Sequence, residues 1–180
     1  MRKRKLGRRN LYLVAMAGSG KSKQARLLGA RMGREVVDMD AAIEASEGCR
    51  IHEIFDDPNR GQEYFRALET KLLSELSLRS NLIVSTGGGI VGREENRNML
   101  RTGVVVYLRV PFAVMRRRAE KQKREKGIDR PLFRNIAAAK RLFKARIPLY
   151  ESVANVQVRV WKETDADVVT GKILKGIGWE

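Results

Sequence analysis

Three stretches carry residues whose types and spacing could do chemistry. The first is A-M-A-G-S-G-K-S-K, residues 15–23, which nearly spells the phosphate-cradling pattern G-x-x-x-x-G-K-[ST], with Ala15 where the first glycine belongs. Glycines at 18 and 20 let the chain turn tightly and bring backbone N–H groups up to phosphate oxygens. A helix starting directly after them adds its positive N-terminal dipole. On this reading Gly18, Ser19, Gly20, Lys21 and Ser22 hold the phosphates of ATP, with Lys21 on the β- and γ-phosphates and the Ser22 hydroxyl on Mg²⁺. Ala15 costs little if its backbone is extended, and roughly 1–2 kcal/mol if the position needs φ > 0. The second stretch is V-V-D-M-D, residues 36–40. On an extended chain Asp38 and Asp40 face the same side, one to hold Mg²⁺-bound water and the other a substrate hydroxyl. Such pairs are as often helix N-caps or solvated charges. The third is T-G-G-G, residues 86–89, which either leaves bare backbone for a polar ligand or is a plain flexible loop.

These stretches need a frame. Five short runs read as strands: 11–16, 35–38, 82–85, 104–108 and 155–160. The first, third and fourth are nearly continuous in apolar residues, as strands buried on both faces are. Helical patterns lie between them, including 21–33, 40–48, a segment from Gly61 with Phe65, Leu68, Leu72, Leu73 and Leu76 on one face, 93–103, and 137–153. Alternating strand and helix predicts an α/β sandwich with a parallel sheet and right-handed crossovers. The glycine-rich stretches follow strands one and three, and ligands bind at the carboxyl ends of such strands.

The totals narrow the classes. A chain of 180 residues suits one domain, here 11–180, preceded by a basic and presumed solvated arm, 1–10. No apolar stretch approaches the roughly 20 residues of a membrane span. The one cysteine, Cys49, permits no intrachain disulfide, which points to a reducing, cytoplasmic setting. One cysteine with the one histidine, His52, makes no zinc cluster. The formal charge of +16 fits either nucleic acid or small anionic substrates. Residues 111–146 hold thirteen Lys or Arg and three acids. No aromatic motif interleaves these basic residues, so nucleic acid is the weaker reading.

Several further motifs keep company with the phosphate loop: D-M-D-A-A-I-E, E-Y-F-R-A-L-E, S-T-G-G-G-I-V, D-R-P-L-F and R-I-P-L-Y-E-S-V-A. In order and spacing, from about residue 11 to 160, they resemble the shikimate kinase family. That resemblance implies a three-layer α/β/α sandwich of the P-loop kinase type, with a five-stranded parallel sheet and a mobile lid over about residues 116–134. It also implies transfer of the γ-phosphate of MgATP to the 3-hydroxyl of shikimate. Under the resemblance Ser22 and Asp38 serve Mg²⁺, and Asp40 meets the ring hydroxyls. Arg66 and Arg146 grip the carboxylate, and Gly87, Gly88 and Gly89 line the ring. Arg130 swings in with the lid to join Lys21 and Asp40 in catalysis. One arginine of 116–118, taken as Arg118 at the end of the run, stacks on adenine.

The chain departs from the family pattern at Ala15, at Gln62 before the F-R motif, and at Lys23, which either adds charge beside the phosphates or is a solvated helix residue. The segments 55–61 and 118–130 are longer than usual. The partners expected are shikimate and ATP, with no membrane and a monomeric chain. Two other classes share some of these features: a kinase for another hydroxylated acid such as gluconate, and a regulatory RNA-binding protein with a degenerate nucleotide site.

Overall fold

The computed structural model describes residues 6–127, 131–161 and 164–179. Its centre is a parallel sheet of β1 (Leu11–Val14), β2 (Val36–Asp38), β3 (Ile83–Ser85), β4 (Val104–Arg109) and β5 (Val156–Arg159), in spatial order β2-β3-β1-β4-β5. β1 and β3 are buried throughout, and β4 is buried except at Arg109. Continuous apolar runs suit strands covered on both faces, and the two edge strands are correspondingly less apolar and less buried.

Eight helices are described: α1 (Lys21–Met32), α2 (Met39–Glu47), α3 (Ile51–Asp56), α4 (Gly61–Ser77), α5 (Glu94–Leu100), α6 (Phe112–Lys126), α7 (Ile136–Val153) and α8 (Ala166–Ile177). α1 and α8 pack on each other on one side of the sheet; α4, α5 and α7 gather around a single 3₁₀ turn, Ile90–Gly92, on the other. Successive strand residues show the two faces. Tyr107 stacks on Tyr150 of α7, while Leu108 lines a cavity with Val169 of α8.

The register puts Leu13 of β1 beside Ser85 of β3 and Val106 of β4. β1 leads away to β2 on one side of the sheet, and the chain later crosses to β4 on the other. The carboxyl ends of β1 and β3 therefore flank the point where strand order reverses, the crevice in which open α/β sheets bind ligands.

Three local expectations change. β2 ends at Asp38, which caps α2 by accepting from Ala41 N at 3.4 Å, so Asp40 lies in the first helical turn and not on an extended chain. The segment 6–10 is anchored at both ends, at Leu6 and Asn10, with Gly7 and Arg8 exposed between them. Leu6 is buried, and the Asn10 side chain donates to Leu76 O and Arg79 O and accepts from Leu82 N. The first part of the expected lid, 116–126, continues α6, which ends on Gly127 at φ +63. The expected lid residues 128–130 lie outside the described residues.

Candidate active site

The loop between β1 and α1 is shaped by two glycines. Gly18 and Gly20 have φ of +80° and +95°, the left-handed region that glycine enters without strain. Ala15 does not share that conformation, because Asn81 is the only non-glycine residue with positive φ among those described. Its side chain is buried in the core at the end of β1. Alanine is therefore accommodated where the motif usually has glycine. Lys21 opens α1, is buried, and donates from Nζ to Ala15 O (2.9 Å) and Met16 O (3.2 Å). Its ammonium thus lies along the inside of the loop that the backbone amides face.

A cavity of about 570 Å³ runs from this loop, past Asp40 and Thr86 at one end, to Arg118, Thr164 and Ala166 at the other. Ser22 lies 3.4 Å from Ser85 between their hydroxyl oxygens, and Ser85 is the register partner of Asp38. Ser22 and Asp38 offer hard oxygen donors of the kind that suits Mg²⁺, although Asp38 does not itself line the cavity and one of its carboxylate oxygens caps α2. That ion takes hard oxygen donors and keeps most of its shell for water and phosphate. The described residues hold no cluster of three or more His, Cys, Asp or Glu, so a dedicated protein cage is absent from that part of the chain.

The three candidate arginines of α6 separate clearly. Arg116 pairs with Glu120 at 3.0 Å and Arg117 is exposed. Arg118 turns inward, donates to Ser19 O at 2.9 Å and lines the cavity. Its surroundings lower its pKa through burial, yet a guanidinium stays charged. Lys23 is exposed at the cavity edge. Arg130 lies outside the described residues.

The other arginines meet at a buried carboxylate. Glu69 sits one turn beyond Arg66 on α4, is wholly buried, and is ion-paired with the Arg66 guanidinium. Burial pushes the Glu69 carboxyl up; Arg66, then Arg146 and Lys21, pull it back toward the charged form. Arg146, on α7, feels burial first, then Tyr150, Arg66 and Glu69. Arg66 of α4 contacts this carboxylate, and Arg146 of α7 and Lys21 of α1 lie near enough to act on its charge. Glu69 Oε1 has no hydrogen-bond partner among the described residues.

The glycine run fits between these parts with no room for side chains. A Cβ at Gly87 would collide with Glu69 and lie 3.1 Å from Asp40 Oδ1; one at Gly89 would collide with the Arg66 guanidinium. At Gly88 it would lie 3.0 Å from Ala17 N of the phosphate loop. The run is thus the seam where the arginine side and the phosphate-loop side touch, with Asp40 at its end.

Two contributors escaped the sequence reading. Glu69 was visible only as the last letter of F-R-x-x-E, and its helical spacing from Arg66 was the available signal. Gln24 and Thr170 form a buried bridge: Gln24 donates to Ala166 O (3.0 Å) and accepts from the Thr170 hydroxyl (2.8 Å). It ties α1 to the first turns of α8 at the far end of the cavity, and no local pattern connects residues 146 apart.

The comparisons with known proteins give the family. The family model described as "Shikimate kinase" matches residues 17–177. The shikimate kinase of Parasynechococcus marenigrum (strain WH8102) is 41% identical over 173 residues, covering 94% of this chain and 86% of that protein. That of Thermosynechococcus vestitus is 39% identical over 174 residues, covering 95% and 91%. A shikimate kinase from Acinetobacter baumannii, solved in complex with shikimate, superposes with a TM-score of 0.82 at 33% identity, over 94% of this chain and 93% of that one. A gluconokinase from Sinorhizobium meliloti superposes at 0.57 with 16% identity over 97% and 94%, a likeness of fold alone.

Proposed function

The chain belongs to the shikimate kinase family, and from that premise we propose that it phosphorylates the 3-hydroxyl of shikimate with ATP, in the site just described. One observation carries the assignment of residues: Arg66, ion-paired with Glu69, packs against the glycine run beside Asp40, with Arg146 of a separate helix acting on the same carboxylate, and that run abuts the phosphate loop at Ala17.

The roles follow from the chemistry of each group. Backbone amides of Gly18–Ser22 and the Lys21 ammonium hold the ATP phosphates, and Arg118 closes the side of the cavity toward the base. Ser22 and Asp38 would hold Mg²⁺, which when bound neutralises phosphate charge and fixes phosphate geometry. Arg66 and Arg146 grip the acceptor carboxylate through planar guanidinium forks. Gly87–Gly89 form a floor that lets the ring approach backbone. Asp40 orients the attacking hydroxyl and takes its proton as the oxygen–phosphorus bond forms. Phosphoryl transfer depends on such positioning and charge stabilisation more than on covalent chemistry by the protein.

Glu69 balances the two guanidinium groups, whose mutual repulsion would otherwise spread the clamp. Arg130 and the segment 116–134 are assigned to a lid that excludes competing water. We assign the chain to the cytoplasm and to a monomer. Its one cysteine, Cys49, is free, and the large exposed apolar residues (Tyr64, Leu78, Trp161, Val168, Trp179) are scattered among the described residues.

The test is ADP release from MgATP with shikimate, gluconate or no acceptor. Shikimate alone should accelerate turnover; equal rates in the three arms would defeat the proposal.

A further inference from the structure

We infer that Tyr150 is a positioning residue whose hydroxyl fastens the Arg146 arm of the clamp to the glycine floor at Gly88, so that the two halves of the acceptor site move as one body. The inference rests on the acceptor site proposed above.

Tyr150 is wholly buried, and its hydroxyl donates to Gly88 O at 2.6 Å, across 62 positions of sequence. The ring has little freedom. It stacks on Tyr107 of β4, centroids 5.0 Å apart and planes at 22°, and Tyr107 is itself buried in the sheet. The oxygen position is therefore set by the middle of the core.

Gly88 needs such an anchor. A run of three glycines has more backbone freedom to lose than any other tripeptide, and it offers no side chain to pack. The 3₁₀ turn holds its neighbours, with Gly87 O accepting from Ile90 N (3.3 Å) and Gly89 O from Gly92 N (2.9 Å). A Cβ at Gly88 would crowd Ala17 N of the phosphate loop at 3.0 Å, and as a glycine the residue has no side chain to pack, so its carbonyl is the handle by which a side chain can hold it.

The same hydroxyl serves Arg146. The two residues lie four apart on α7, one helical turn, so their side chains leave the same face of the helix, and the Tyr150 hydroxyl is near enough to act on the Arg146 guanidinium. A phenol has one O–H to donate and lone pairs to accept. Donation to Gly88 leaves the lone pairs for the guanidinium. Burial pushes the Tyr150 hydroxyl far up, with the nearby arginines opposing, so the proton stays on the oxygen across the working pH range. Replacing tyrosine by phenylalanine would remove both connections and keep the stacked ring.

Two measurements on Tyr150→Phe test this, with Tyr107→Phe as the control that keeps its ring. Steady-state kinetics should show the shikimate KM raised about tenfold, the size expected for a buried hydrogen bond to each partner, with the ATP KM within about twofold of wild type. Hydrogen exchange of amides in peptides spanning residues 86–92, read without substrates, should be faster. Tyr107→Phe should leave both readouts within about twofold of wild type. An unchanged shikimate KM in Tyr150→Phe overturns the inference, even if melting temperature falls, because a purely structural tyrosine would lower stability and spare acceptor binding. If the wild-type chain does not turn over shikimate, the acceptor reading itself fails. The exchange arm then decides the fastening alone: faster exchange sustains it and unchanged exchange ends it.

Discussion

The phosphate loop and the arginine clamp are two ways of building a binding site in one domain. The loop is local: eight consecutive residues at the end of β1, made of backbone amides, two left-handed glycines and one lysine. The clamp is non-local, with Arg66 and Glu69 from α4, the glycine run after β3 and Arg146 from α7. The loop gets its positive charge from the N-terminus of α1 and the Lys21 ammonium, whereas the clamp must balance buried charges against each other. A backbone site of this kind should tolerate side-chain changes except where φ or charge is essential, and a side-chain site should tolerate almost none.

The sharpest way to break the contrast is at the loop's one essential side chain. Lys21→Met should cut kcat on the order of 10²–10³-fold, since the ammonium stabilises charge that develops in the transition state. The shikimate KM should stay near wild type. A comparable rise in shikimate KM would mean that the lysine serves the clamp, through its proximity to Glu69.

Arg66→Ala and Arg146→Ala should each lower kcat/KM for shikimate by about 30-fold or more, because removing one partner of a desolvated charge pair typically costs about 2–5 kcal/mol. The ATP KM should not move. Equal losses for ATP would erase the division between the two regions.

Glu69→Gln probes the clamp's internal balance and has a pH signature. Burial dominates at Glu69, so its carboxyl titrates above the unfolded value and the folded chain holds that proton more tightly than the unfolded chain. A group of that kind contributes stability below its unfolded pKa and loses it as pH rises through the folded pKa. The glutamine variant lacks the titration. The difference in unfolding free energy, variant minus wild type, should therefore shift in the variant's favour as pH rises above the ordinary carboxylate range, in urea titrations run at several pH values. The shikimate KM of the variant should still rise, on the order of tenfold, as the guanidinium pair loses its counter-charge. A pH-independent stability difference would show that Arg66 and Arg146 compensate the burial completely.

The same contrast explains what the sequence disclosed. Continuous apolar runs announced β1, β3 and β4 and hence the parallel sheet, because burial on both faces leaves a local imprint. The phosphate loop was legible for the same reason. Of the two readings of the D-x-D pair, the helix cap holds and the extended pair does not, because Asp38 is itself the cap that starts α2, so that one residue ends the strand and begins the helix. Residues 6–10 looked like an arm because three of the partners that hold the Asn10 side chain, Leu76, Arg79 and Leu82, lie 66 or more positions away. Gln24 and Tyr150 act through contacts of this long-range kind. A motif can preserve their letters, but only packing shows what they touch.

The smallest expected effect tests the loop's tolerance directly. Ala15→Gly restores the usual motif, yet the residue is buried and its backbone is outside the left-handed region. Nothing in the loop geometry gains from the change. The glycine gives the unfolded chain more freedom and removes a buried methyl, so stability should fall by about 1 kcal/mol. The ATP KM and kcat should remain within about twofold of wild type. Gly20→Ala, at φ +95°, is the opposite case: the added Cβ meets a forbidden conformation, and ATP binding should weaken along with stability. If Ala15→Gly instead sharpened ATP binding by tenfold or more, the alanine would be a functional constraint on the phosphate loop, and backbone geometry alone would no longer account for that side of the site.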